Sequence, residues 1–312
     1  MKLILLIFIP LITLYALMQF NSVDKEAIPI AILTPATHPS LEQIEKGFKQ
    51  TLEKEGKGKY HFVTYNAQGN PTLMRSEIEE IALKNYALVF SIGTRATQMT
   101  KEVFEKKELK TPIVFSVVND PVGFNIVSSE EIPGRNITGI KEMLHFNEEL
   151  EILLKYKASI RNILLVYNPL EPGLQKDRLE IERLVKTKEI AFQCVEVFKT
   201  NEILAKTSPF IQEADAVIVL KDNTVVAALD VLVKLCDRHQ VPLMASDLDS
   251  PDRGAAFGYG VYEIEFGKEA ARKVIQILDE GVRPGTIPVT AVSGFTLRLN
   301  EEAAKRQGVN LL

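Results

Sequence analysis

The chain of 312 residues has no tryptophan, two cysteines and four histidines, and each scarcity removes a class of function. Cys194 and Cys236 form no CxxC pair and have no histidines at metal-ligand spacing, so no metal site is written into them. Both stand in apolar runs and read as buried hydrophobes, with a disulfide between them left open. His38, His61, His145 and His239 are scattered. No GxSxG, HExxH or P-loop occurs, and SIGTRATQ lacks the spacing of a dinucleotide fingerprint. The chain is therefore not expected to be an enzyme, and no cofactor is expected. A net charge of −4 without a basic stripe gives no reason to expect nucleic acid as a partner. With tryptophan absent, aromatic contact with a ligand falls to tyrosine or phenylalanine.

What is present is ordinary globular material, 46% hydrophobic and 25% charged. Its length exceeds what one core usually serves, so two lobes are expected. Lys2 precedes an almost wholly apolar run over residues 3–20. That run reads as an export signal or a short membrane anchor, and Lys2 places the rest of the chain outside the cytoplasm. No cysteine follows it, so nothing there can be acylated.

From residue 28 onward, short β-branched runs alternate with amphipathic stretches. Strands are expected at 29–33, 60–66, 88–92 and 112–118. Helices are expected between them at 41–55, capped by Ser40, and at 72–85. This βα alternation predicts a parallel sheet with right-handed crossovers. Near 141–146 the pattern restarts. It gives strands at 162–167, 192–198, 216–220 and 241–245, and helices at 174–188, at 201–212 with a break at Pro209, and at 225–239 capped by Thr224. The glycine-rich segment 254–261 reads as a strand that crosses back, followed by a helix at 262–280, short strands at 287–292 and 295–299, and a last helix at 301–307. The fold class is α/β with two doubly wound parallel-sheet lobes. Residues 28–143 plus 256–285 are expected in the first and 144–255 plus 286–312 in the second.

The stretch 88–123 organises the first lobe. Its two strands end in small and polar residues, Gly93, Thr94 and Thr97 after one and Asn119, Asp120, Pro121 and Gly123 after the other. Ligands of open α/β sheets bind beyond the carboxyl ends of strands. A helix starting at Thr94 aims free N–H groups and a positive dipole at that place, which suits a carboxylate. Asp120, one strand over, suits an ammonium, and the two charges together describe an amino acid. The same residues also read as turn and cap chemistry alone, with Gly93 serving the turn, Thr94 an N-cap and Asp120 the cap before Pro121.

Nine segments carry a family resemblance. They are HPSLEQIEKGFKQTLEKEG (38–56), YNAQGNPT (65–72), IGTRATQ (92–98), PIVFSVVNDPVG (112–123), PGRNITGI (133–140), LLVYNPLEPG (164–173), VIVLKDNTVVAALDVLV (217–233), VPLMASDLDS (241–250) and RGAAFGYGVYEIEFGKEA (253–270). In this order and spacing the chain resembles the substrate-binding proteins of ABC transporters related to tryptophan- and tyrosine-binding lipoproteins. The resemblance implies the type I periplasmic-binding-protein architecture, two lobes joined by three crossings. It implies a receptor that captures a small polar ligand between the lobes, an aromatic or aliphatic amino acid, and delivers it to a membrane permease. Position by position the pocket would use Thr34, Thr94, Ala96 and Asp120 from the first lobe. From the second it would use Tyr167, Asn168, Asp222, Asn223, Thr224, Ser246 and Asp247. Phe115, Tyr167 and Tyr259 would line an apolar side pocket.

Three departures stand out. The lipid-anchored cysteine is missing. Leu170-Glu171-Pro172-Gly173-Leu174 replaces small or polar residues. Arg95 replaces a small residue and is expected to face solvent. A retained anchor without a lipidated cysteine also fits a second role, a ligand-sensing module that touches a membrane signalling partner.

Overall fold

The structure, a computed structural model, describes residues 27–311. The apolar run 3–20, with its export or anchor reading, lies outside the described residues. No helix among them is long and apolar enough to cross a membrane.

The first half of the chain supplies strands β1 (Ile28–Thr34), β2 (Tyr60–Asn66), β3 (Leu88–Ile92), β4 (Ile113–Val118) and β5 (Ile137–Lys141). The second half supplies β6 (Asn162–Tyr167), β7 (Ala191–Glu196), β8 (Ala216–Val219), β9 (Leu243–Ala245) and β10 (Phe257–Gly260), then β11 (Thr290–Ala291) and β12 (Thr296–Leu299). They form two sheets, ordered β11-β5-β4-β3-β1-β2 and β12-β10-β9-β8-β6-β7. Every pairing is parallel except β10 with β12. In each sheet the strand order reverses once, beside β1 in the first and beside β6 in the second. Such reversals open a crevice at the carboxyl ends of the strands.

Both faces of each sheet are buried, which is why the central strands are continuous apolar runs. In β1, Ile30 and Ile32 enter one core while Ala31 and Leu33 enter another. In β6, Leu164 and Val166 face one way, and Ile163, Leu165 and Tyr167 the other. The cysteines divide the same way. Cys236 sits in one core of the second sheet and Cys194 packs against the other, and both are free thiols.

Three segments cross between the lobes, 142–145, 261–262 and 292–295. The lobe boundaries therefore differ from the sequence expectation. Strand β10 belongs to the second sheet, because Gly258 lets its backbone lie against Asp247 O and Pro251. The helix Glu263–Leu278 returns to the first lobe, and β11 completes the first sheet. Strand β12 and the helix Glu301–Arg306 belong to the second lobe.

Several local expectations also shift. His38, not Ser40, caps the helix Pro39–Glu55, its Nδ1 accepting from Ser40 N at 3.2 Å. Asp222, not Thr224, caps the helix Asn223–Ala227, which is separate from Leu229–His239. Pro209 does not break its helix, Ile203–Ile211, since so near the end it removes one rung only.

The return of Glu263–Leu278 onto Pro39–Glu55 depends on two glycines. A Cβ at Gly267 would meet Ile44 O and the Phe48 amide, and one at Gly47 would meet Ile264 O. Overpacking a contact made of backbone cannot be relieved by a rotamer change. Gly267→Ala is expected to cost about 1–3 kcal/mol in urea unfolding, and Gly47→Ala a similar amount. Unchanged midpoints would contradict this packing.

Candidate functional site

The carboxyl ends of the two sheets face each other, and between them lies a cleft of about 1110 Å³, part of it open to solvent. The first lobe lines it with Pro35, Ala36 and His38 after β1, Gly93 to Ala96 after β3, and Val117 and Asn119 at the end of β4. The second lobe contributes Glu171, Pro172 and Leu174 after β6, Lys221, Asp222 and Asn223 after β8, and Asp247 after β9. Glu142 and Glu263 come from the crossings. The apolar part of the lining is aliphatic, including Leu41, Ile44, Met74, Leu174 and Val226.

The helix Thr94–Lys106 begins at the cleft. Gly93 precedes it with φ +90°, a conformation that suits glycine, and no side chain caps the first turn. The first-turn amides thus remain donors with the helix dipole behind them. One strand over, the β4–β5 register shifts between Ser116 and Val118. The extra residue, Val117, has φ +58°, a strained conformation for a β-branched side chain, and lines the cleft.

The floor is charged. Lys221 Nζ lies 2.6 Å from Glu142 Oε1 and 2.7 Å from Glu263 Oε1. It also stands 4.9 Å from the centre of the Phe266 ring. Burial alone would lower this amine, but the two carboxylates outweigh it and hold the ammonium well above its usual value. Burial pushes Glu263 up to about 7 despite Lys221.

The lobes also meet at the rims. Ser40 Oγ donates to Asp249 Oδ2 at 3.1 Å, and Arg95 Nη2 donates to Leu170 O at 2.5 Å. Lys176 Nζ donates to Asp120 Oδ2 at 2.6 Å, and Asn119 Nδ2 to Asp177 Oδ2 at 3.2 Å. Gly173, at φ +91°, leaves room there for Asn119, whose Nδ2 would lie 3.0 Å from an added Cβ. These contacts bridge the lobes on both sides of the cleft.

Of the residues singled out in the sequence, Thr94, Ala96, Asp222, Asn223 and Asp247 line the cleft. Asp120 does not. Its Oδ1 accepts from Gly123 N and its Oδ2 pairs with Lys176, and these bonds hold its carboxyl below the usual value, Lys176 contributing most. The cap reading of Asp120 is thus the one its geometry fits. Thr34 donates its hydroxyl to Ala36 O. Tyr167 is buried in the core and bonds Glu196. Asn168 and Thr224 bond each other behind the lining, and Asn168 N donates to Asp222 Oδ2. Ser246 is buried beside Glu149 and Asp247.

Phe115 is core, and Tyr259 packs on Phe295, so neither forms an apolar side pocket in the cleft. Arg95 reaches across the cleft and does not simply face solvent. Sequence reasoning missed Glu142, Lys221 and Glu263. Glu142 directly follows β5, Glu263 opens its helix and Lys221 stands two residues beyond β8, and those positions were the available signal.

Burial raises other carboxyls of the second lobe. Glu149 rises to about 8, with Asp247 and Asp177 adding to the effect. Asp177 rises to about 7, with Glu142 adding. Asp222 rises only to about 6, because three backbone N–H groups oppose its burial. Beside the cleft, burial lowers His38 against the pull of Asp247, and its Nε2 is buried without a partner.

A family model described as ABC transporter substrate binding protein matches residues 29–312. The tyrosine-binding protein of Clostridioides difficile (strain R20291) is 27% identical over 292 residues, covering 90% of this chain and 81% of that protein. Among solved structures, a conserved domain protein of Vibrio cholerae superposes with a TM-score of 0.84 at 25% identity, covering 92% of this chain and 96% of that one. An ABC domain of Streptococcus pneumoniae in complex with L-Trp also gives 0.84, at 22% identity, covering 91% of this chain and 96% of that one. That last likeness speaks for the fold.

The raised carboxyls make stability depend on pH. A group whose folded value lies above its unfolded one stabilises fully below the unfolded value and loses that contribution as pH rises through the folded value. Between pH 6.5 and 8, Asp177, Glu263 and Glu149 all lose theirs. The lowered His38 and Lys273, the latter lowered to about 8 by burial, act in the opposite sense, His38 below its ordinary value and Lys273 only from the upper end of this window. The melting temperature of the ligand-free protein is expected to fall from pH 6.5 to 8, and to fall less in Glu149→Gln. A melting temperature that rises over this window would contradict the assignment.

Proposed function

Because the chain belongs to the ABC transporter substrate binding protein family, we propose that it captures an aliphatic or aromatic amino acid in the cleft between its lobes. In this reading it works outside the cytoplasm and passes the ligand to an ABC permease for import. One observation carries the reading. The uncapped start of the helix Thr94–Lys106 faces, across one cleft, a floor with two carboxylates and one lysine. An amino acid has one group for each side. Its carboxylate meets the first-turn amides and the Thr94 hydroxyl, and its ammonium meets the acidic side of the cleft. Leu41, Ile44, Met74 and Leu174 receive the side chain.

The tyrosine-binding relative and the L-Trp complex support the amino-acid class. The aliphatic lining adds branched aliphatic ligands to the set worth testing. Closure supplies the desolvation that makes these polar contacts count, and reopening releases the ligand to the permease.

The test is a melting-shift screen of the purified protein, freed of bound ligand, against the twenty amino acids, common sugars and nucleosides. At least one amino acid is expected to raise the melting temperature by several degrees at about a hundredfold excess over its Kd. Thr94→Val is expected to weaken that ligand about tenfold through loss of a hydrogen bond to a charged group. Shifts with sugars or nucleosides only would overturn the proposal.

A further inference from the structure

The floor of the cleft holds an unbalanced charge. Lys221 Nζ donates a hydrogen bond to Glu263 Oε1 at 2.7 Å. Its ammonium also pairs with Glu142 Oε1 at 2.6 Å, a buried oxygen that has no other hydrogen-bond partner. Glu142 is 4% exposed and Glu263 5%. Two carboxylates face one ammonium, so the buried cluster carries one negative charge in excess. An uncompensated buried charge costs several kcal/mol, and a cation that reaches this floor removes the cost.

Three other carboxylates near the cleft are already engaged, while Glu171, the remaining one of the lining, is half-buried on the second lobe after β6. Asp222 accepts from the amides of Asn168, Thr224 and Val225. Asp247 accepts from the amides of Asp249 and Ser250 and from the Ser250 hydroxyl. Asp120 is held by Lys176 and Gly123 at the rim.

We propose that Glu142 and Glu263, held apart by Lys221, are the subsite that takes the ligand's ammonium, at the hinge and not at Asp120. The inference rests on the amino-acid reading above and assigns the residues that recognise the amine. With the ligand bound, two carboxylates face two ammonium groups and the floor is neutral. Without it a proton does the same work, in keeping with the rise of Glu263 to about 7. The charged and titratable groups that face this pair are Lys221, Asp247 and Asp177. Because Glu142 and Glu263 stand at two of the three crossings, the ligand's amine also ties occupancy to the segments that bend on opening.

The test compares, on the purified full-length protein, L-leucine, L-tyrosine and L-tryptophan with three acids that lack the amine and three amines that lack the carboxylate. The acids are 4-methylpentanoate, 3-(4-hydroxyphenyl)propanoate and 3-(indol-3-yl)propanoate. The amines are 3-methylbutylamine, tyramine and tryptamine. In the wild type the amino acid is expected to bind about 10- to 100-fold more tightly than its acid. Its affinity is expected to fall several-fold from pH 8 to pH 6, because a proton competes for the same carboxylates. In Glu142→Gln and Glu263→Gln the preference collapses towards unity while the acid binds as before, and Glu263→Gln loses the pH dependence. Where one variant fails to fold, the other variant and the wild-type pH series carry the comparison. An unchanged preference in a folded variant together with pH-independent binding would overturn the proposal. If no amino acid binds but an amine does, and both variants lose it, the amino-acid reading fails while the subsite stands. If neither amines nor amino acids bind the wild type, both fall.

Discussion

The structure turns on a buried lysine that two lobes must satisfy together. Lys221 extends from the end of β8 in the second lobe. Its carboxylate partners stand where the chain leaves β5 and where it enters the helix Glu263–Leu278. Removing Lys221 leaves two buried carboxylates without compensation, a loss of about 3–5 kcal/mol in comparable sites. The cluster therefore fixes the geometry of the hinge and the polarity of the cleft floor at once. Phe266, beneath the ammonium, belongs to the first-lobe core, so the same contact anchors the returning helix.

Around that pin the fold repeats one idea. Each lobe is a mostly parallel sheet buried on both faces, and it turns the row of loops at the carboxyl ends of its strands towards the other lobe. Facing two such rows across a hinge concentrates helix starts, turn amides and carboxylates in one cleft. The strain at Val117 and the positive φ at Gly93 and Gly173 lie on this line. The cores behind keep strict alternation, as β1 and β6 show.

The architecture was legible because it rests on short-range regularity. The β-branched runs at 88–92 and 162–167 have no reading other than buried parallel strands once helices flank them. Lobe assignment near the C-terminus was not legible. A four-residue strand such as Phe257–Gly260 carries no label for the sheet it joins, and Gly258 decided the matter through a backbone contact with Asp247. The site was half legible. Thr94 announced itself as a helix start after a strand, while Ala96, Asp222, Asn223 and Asp247 followed from the family resemblance. Asp120 has the same local signature, but Lys176, far away in sequence, occupies it. Glu142, Lys221 and Glu263 carry no such local signature, since residues far apart in sequence bring them together.

In the proposed function this cleft selects an amino acid by holding both of its charges. Native mass spectrometry can read that choice, on protein freed of ligand and offered an equimolar mixture of amino acids, sugars and nucleosides. One bound molecule per chain is expected, with the mass of an amino acid, lost when the protein unfolds. Retention of a sugar or a nucleoside, or of nothing from the mixture, would contradict it.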